Sequence, residues 1–197
     1  MLPDGPGEFG AFRSFDVHTG VDLYCELGTE VVAVEPGRVV TVEWFTGKHV
    51  ADPSGNPADH WNDTHVVLVE GASGIVAYGE VTPRVSVGDV VEMGQVIGIV
   101  DTAVLRSFKG RPMVMLHVEL YSRLVTDDSI PGWAPSHTAW WALGSPQPEH
   151  LLDPTPHLFY RNYPTRFEIA KYDGVSFRDP AAPAKPSAWW AVWGGSP

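Results

Sequence analysis

Only one cysteine, Cys25, occurs in 197 residues, so no internal disulfide can form and no thiolate cluster can hold a metal. Cys25 reads as a small packing residue rather than a nucleophile. Long apolar runs are also missing; nothing approaches the roughly 20 residues that a bilayer-spanning helix requires, so no membrane span is expected. Positive charge is scarce. Thirteen Lys and Arg face 24 Asp and Glu, a formal net charge of −11, and no Lys/Arg stripe offsets it locally. Nucleic acid is therefore excluded as an expected partner, and docking on an anionic wall or membrane is disfavoured. The opening MLPDGPGEFG has neither the basic nor the apolar region of a secretory leader. The expectation is a cytoplasmic protein or part of a larger assembly, or a mature secreted form with its leader removed. No G-x-S-x-G elbow and no phosphate loop occurs.

What is present is a run of short β-branched segments. EVVAVEPGRVVTVEW, from Glu30, holds two such runs separated by Glu35-Pro36-Gly37, which predicts a hairpin. Thr46 to Thr64, rich in Gly, Pro, Asn and Asp, reads as a long loop. Strands resume at His65 to Glu70 and Ile75 to Tyr78, and Val85 to Val100 follows, with Gly88, Gly94 and Gly98 punctuating alternating apolar residues. No convincing amphipathic helix precedes residue 120. The expected class is mainly β, a barrel or sandwich of short antiparallel strands with long loops. The core domain is expected to span residues 1–160 and to close near LLDPTPHL, Leu151 to Leu158. Residues 161–197 form a Pro/Trp-rich extension whose stiff PAAPAKP segment delivers Trp189, Trp190 and Trp193 to the terminus. Those indoles are expected to pack on the domain, with self-association or a protein partner as the sharper alternative.

Two short patterns carry metal chemistry. In FDVHTGVDL, His18 and Asp22 stand four apart across a glycine turn, and imidazole and carboxylate are both good Zn²⁺ ligands. In MLHVELY, His117 and Glu119 stand two apart on a predicted strand and so share a face. His49, His60 and His65, in or beside the long loop, read as surface or strand residues, and His137, His150 and His157 show no metal-type spacing. Asp16 reads as a turn cap, with orientation of a ligand imidazole as the alternative.

These patterns, in order, resemble the lysostaphin-like zinc peptidases, whose fold is a duplicated hybrid motif, a barrel-sandwich hybrid. HTGVDL followed by VVAVEPGRVV is similar to the family's H-x-G-x-D … V-x-A-x-x-x-G-x-V stretch; VSVGDVVEMGQVIGIV, LHVEL and LDPTPHL match its later segments. The resemblance runs over about residues 12 to 158. It implies a zinc ion held by His18, Asp22 and the second position of an H-x-H pair. The first His of that pair and a His in a Y-x-H-L segment would flank the metal as catalytic residues. Aligned in this way, His117 falls at the first H-x-H position, Glu119 at the third ligand, and Glu80, in YGEV, at the Y-x-H-L histidine. The expectation is then a Zn²⁺ site of His18, Asp22 and Glu119, with His117 and Glu80 handling protons. The reaction implied is hydrolysis of a peptide or peptidoglycan cross-bridge amide. The alternative is a degenerate, non-catalytic domain that serves as a binding or structural module. Val85 to Val100 also resembles lipoyl and biotinyl carriers, but Glu92-Met93-Gly94 offers no lysine to modify.

Overall fold

The structure, a computed structural model, describes residues 7–14, 16–51, 57–58, 61–108, 111–124 and 138–160. Its elements are β1 (Val21–Tyr24), β2 (Thr29–Val32), β3 (Gly37–Ala51), β4 (Pro57–Ala58), β5 (Thr64–Gly71), β6 (Gly74–Pro83) and β7 (Val90–Val91). They continue with β8 (Val96–Val100), β9 (Leu105–Phe108), β10 (Arg111–Met113), β11 (Met115–Tyr121), β12 (Leu151–Leu152) and the one-turn-and-a-half α1 (Thr155–Tyr160). The expectation of a mainly β chain with little helix is met. The extension at 161–197, with Trp189, Trp190 and Trp193, lies outside the described residues.

All the strand pairs are antiparallel. The main sheet runs β1-β11-β6-β5-β3-β4; β12 adds to β11, β7 adds to β3, and β8 links β6 to β2. β9 and β10 pair separately. Apolar residues on successive positions bury both faces of the central strands, which is why β5 reads as a continuous run rather than an alternation. Val67 and Val69 of β5 enter one core with Val76, Tyr78 and Ile97. Val66 and Leu68 enter a second with Ile75, Ala77, Tyr121 and Leu151.

This two-faced burial places the site. On β11, Leu116, Val118 and Leu120 point into the first core. By strand alternation Met115, His117, Glu119 and Tyr121 all take the other face, and all are buried there. The chain has enclosed an imidazole and a carboxylate where it could have put two more apolar side chains.

Two local expectations are corrected. β2 and β3 do not form a hairpin: β2 pairs with β8, while β3 pairs with β5 and β7. Between them the Glu35 carboxylate is buried and accepts hydrogen bonds from the Ser73 backbone N–H and hydroxyl, both at 3.1 Å, so the turn is tied across to the β5–β6 connection. The segment read as a long loop from Thr46 begins instead as the end of β3, which continues to Ala51 through a bulge between Trp44 and Thr46. Gly47, with a φ of 96°, and the Lys48 N–H donated to Asp63 Oδ1 at 2.8 Å hold this extension against the chain leading into β5. Turns do fall where glycine punctuation placed them, at Gly88 and Gly94, with φ of 96° and 82°.

Candidate metal centre

Asp22 on β1 and His117 on β11 are register partners across one ladder. His18 reaches them from the turn just before β1. That turn lies so close to β11 that a Cβ on Gly20 would come within 2.4 Å of the Val118 carbonyl oxygen and 2.8 Å of the His117 ring. The glycine of the H-T-G-V-D pattern is thus required by close approach. Gly79 plays a similar part on the other side, where a Cβ would meet the Phe45 ring, which packs with its centroid 5.5 Å from that of His117.

The three side chains meet at one corner. Asp22 Oδ1 lies 2.9 Å from His117 Nδ1 and 3.1 Å from His18 Nε2, and the two nitrogens are 3.2 Å apart. Each ring's other nitrogen is turned to an oxygen. His18 Nδ1 donates to the Glu8 carbonyl at 2.7 Å, and His117 Nε2 stands 3.1 Å from Glu119 Oε1, an ion pair at an angle too poor for a full hydrogen bond. Such distal oxygens select the tautomer that presents a lone pair to the shared corner. The donors suit zinc: a tetrahedral ion about 2.0–2.1 Å from each would set its ligands about 3.3 Å apart, close to the separations present. Two imidazole nitrogens and one carboxylate oxygen are also a common catalytic donor set.

Glu119 is not at this corner. The structure groups His18, Asp22 and His117, and Glu119 lies beyond the far nitrogen of His117. This corrects the alignment above, because alternation along β11 aims His117 at the corner and leaves Glu119 to face its ring edge. His117, and not Glu119, thus takes the place at the corner that the resemblance gave to the second residue of the H-x-H pair; counted from there, the first residue of the pair would be Met115. Asp16 does not orient His18 either; the Glu8 carbonyl does.

Glu80 reaches the same cleft by a backbone device. His65 pairs with Val81 and Val66 with Gly79, so Glu80 is the extra residue of a bulge. Its φ of 66° makes it the one non-glycine residue at positive φ among the described residues. Strain of this kind persists where surrounding structure imposes it, and bulges re-aim side chains. Glu80 Oε2 accepts hydrogen bonds from Thr64 Oγ1 at 2.8 Å and Thr46 Oγ1 at 3.2 Å.

Burial raises the Glu80 carboxyl to about 7 despite those hydrogen bonds. Burial also disfavours charge on His117, but the Asp22 and Glu119 carboxylates beside its two nitrogens outweigh it and hold the imidazolium to about 10. Burial lowers His18. For Asp22 burial works the opposite way, and the two imidazoles overcome it to hold the carboxyl well below the usual range. Glu119 is likewise lowered by His117 against its burial. Tyr121 donates to Glu119 Oε2 at 2.6 Å and accepts from the Ala139 N–H at 2.8 Å, so a hydrogen-bonded line runs from the loop near residue 139 to Glu119, which pairs with His117.

A cleft of about 120 Å³ opens over these groups. Phe45, Trp61, Met115 and Trp140 form much of its wall. Arg13, unmarked in the sequence, also lines it and reaches Asp22 Oδ2 at 2.6 Å. The only available signal was its place five residues before His18.

The profile of Peptidase family M23 matches residues 16–127, more than half of the chain. The chain belongs to that family. Solved structures similar to this M23 chain include the NMR solution structure of lysostaphin, 21% identical over 72% of this chain and 42% of that one, with a TM-score of 0.40. A second is LytU, 17% identical over 77% of this chain and 79% of that one, with a TM-score of 0.44. A third is a point mutant of the catalytic domain of the prophage-encoded M23 protein EnpA from Enterococcus faecalis. It is 22% identical over 59% of this chain and 88% of that one, with a TM-score of 0.37. The M23 chain thus spans less than half the length of lysostaphin. No curated protein matches the sequence.

Proposed function

We propose that this M23 chain is a zinc-dependent peptidase acting on a peptide or peptidoglycan cross-bridge amide. In this reading His18, Asp22 and His117 hold the ion and Glu80 is the general base. The observation that carries it is the corner of two imidazole nitrogens and one carboxylate oxygen beside a bulged, buried glutamate. When bound, the ion supplies Lewis acidity to a water and to the amide carbonyl.

The chain's own groups do the rest. Glu80, with its carboxyl near neutrality, takes a proton as the water oxygen adds to the carbonyl carbon and the C=O π pair moves to oxygen. When the C–N bond breaks, that proton passes to the departing amine. Thr46 and Thr64 hold the carboxylate in place. Glu119 acts through His117: it fixes the ring and its tautomer, and Tyr121 in turn fixes Glu119. This replaces the expected roles of Glu119 as a ligand and His117 as a proton carrier.

A non-catalytic reading draws on Met115 and Glu80, which occupy both positions where the family resemblance places a catalytic imidazole. Metal analysis separates the two, combined with release of new amines from peptidoglycan and peptides. One zinc per chain with amine release supports the peptidase; zinc without release supports the binding module, and neither would end the metal reading.

A further inference from the structure

The cleft wall at residues 138–141 belongs to no strand or helix. Such a segment must fix its backbone polar groups on neighbours if it is to hold one shape. Thr138, Ala139 and Trp140 of this segment line the cleft. Among the described residues two ties hold it. The Val17 N–H donates to the Trp141 carbonyl at 2.8 Å, next to the Asp16–Ala142 bridge, and the Ala139 N–H donates to the Tyr121 hydroxyl oxygen at 2.8 Å. The first tie ends beside His18 and the second on β11, the strand of His117. The wall is thus anchored on the two segments that bring an imidazole to the corner.

Tyr121 is the rigid member of this arrangement. Its ring is fully buried in the second core with Val66, Leu68, Ile75, Ala77 and Leu151, where close packing leaves it no room to swing. The hydroxyl proton goes to Glu119 Oε2 at 2.6 Å, and the same oxygen accepts from Ala139. The other Glu119 oxygen faces His117 Nε2 at 3.1 Å, and this is the contact in the line whose angle is poor. A ring that gives Nδ1 to an ion keeps its proton on Nε2, and a buried N–H needs an aligned acceptor. Glu119 can align only by pulling on its bond to Tyr121, and Tyr121 holds the wall.

We propose that Tyr121 is a positioning residue that couples the ligand ring of His117 to the cleft wall, so that an ion at the corner and a peptide lying against Ala139 and Trp140 favour each other's binding. The inference rests on the zinc peptidase reading of the site. By linkage the coupling is reciprocal: what the ion gains from an ordered wall, the peptide gains from a filled corner. Tyr121 makes and breaks no covalent bond and gives no proton to the reaction.

The test uses the full chain, its Tyr121→Phe and Ala139→Pro variants, and Val69→Ala as a variant weakened in the first core rather than the second. Zinc affinity is read by calorimetry, the wall by the part of the tryptophan emission that Trp140→Phe removes, and cleavage by amine release from peptidoglycan. Zinc should change the Trp140 emission in wild type and in Val69→Ala. In Tyr121→Phe most of that change should vanish, although zinc still binds within about tenfold of wild type because His18, Asp22 and His117 remain. KM should rise about tenfold, with kcat falling less. Ala139→Pro, which takes only the N–H from the wall, should reproduce the loss, and it decides the matter should Tyr121→Phe not fold. A wild type whose Trp140 emission ignores bound zinc, or variants that keep the full response, overturn the coupling. A wild type that binds zinc, shows the response and cleaves nothing refutes the peptidase reading and leaves the coupling standing. No zinc uptake ends the metal reading and the coupling with it. In that case amide exchange at Ala139 in the metal-free chain still reads the tie: it should speed at least about tenfold in Tyr121→Phe, and an unchanged rate refutes the tie itself.

Discussion

Asp22 and His117 face each other across the β1–β11 ladder with Oδ1 and Nδ1 2.9 Å apart, although 95 positions separate them in the chain. Asp22 Oδ1 also contacts His18 Nε2, so a single oxygen gathers both imidazoles. Two carboxylates therefore bracket His117, Asp22 at Nδ1 and Glu119 at Nε2, and they have different duties. The one on the corner is a ligand candidate; the one on the far side orients.

That division gives the first prediction. His117→Ala should abolish zinc uptake, since it removes a donor from the corner. Glu119→Gln should lower zinc affinity about 10- to 100-fold, the usual effect of losing the partner of a ligand imidazole. Calorimetry on both variants checks this. Equal loss in the two would return Glu119 to the ligand set.

The sequence made the first half of this site legible and misplaced the second. His18 and Asp22 lie within one turn, so their spacing alone brings them together. His117 and Glu119 share a strand face by alternation, but alternation cannot say which of two same-face residues sits opposite Asp22. That depends on the β1–β11 register, a long-range fact. Glu80 was found only by its place in a motif, because a bulge that breaks strand period leaves no periodic signal. Arg13 had no motif at all. In the fold, glycine and β-branched runs pointed to short strands, while the partners of β2 and β3, which are β8 and β5 with β7, are long-range pairings that a local turn signal does not carry.

Gly20→Ala should damage stability and site together. Its methyl would need the space of the Val118 carbonyl oxygen, which belongs to a central strand and cannot yield like a flexible side-chain tip. Overpacking of this kind costs about 1–3 kcal/mol. Urea unfolding should show that loss, and zinc affinity should fall as well because the same methyl presses on the His117 ring. Wild-type affinity in a destabilised Gly20→Ala would show that the turn can move away from the ligand.

Tyr121→Phe removes one oxygen that serves two buried partners, Glu119 Oε2 and the Ala139 N–H. Each would lose a hydrogen bond without gaining water, and one of them is a carboxylate. A loss of about 2–4 kcal/mol is expected in urea unfolding. Little change in Tyr121→Phe would mean that the tie from the loop through Tyr121 to Glu119 is dispensable.

Glu80 supplies the prediction whose sign depends on pH. Its carboxyl titrates near 7 in the folded chain and near 4.5 when exposed. Below about pH 4.5 both states carry the proton and Glu80 imposes no penalty, so its contribution to stability is fully present there. As pH rises the unfolded chain ionises first, and stability falls until the folded carboxyl also ionises near 7. The shift corresponds to about 3 kcal/mol lost above that window. Glu80→Gln cannot ionise. Compared with wild type in urea unfolding with a chelator present, it should be more stable by up to about 3 kcal/mol at about pH 8 and close to equal at about pH 4. The same variant should take up zinc but hydrolyse amides slowly, because an amide at this bulge accepts no proton from water. A stability difference that does not change with pH would mean that burial does not raise the Glu80 carboxyl toward neutrality, the shift that suits it to act as the base.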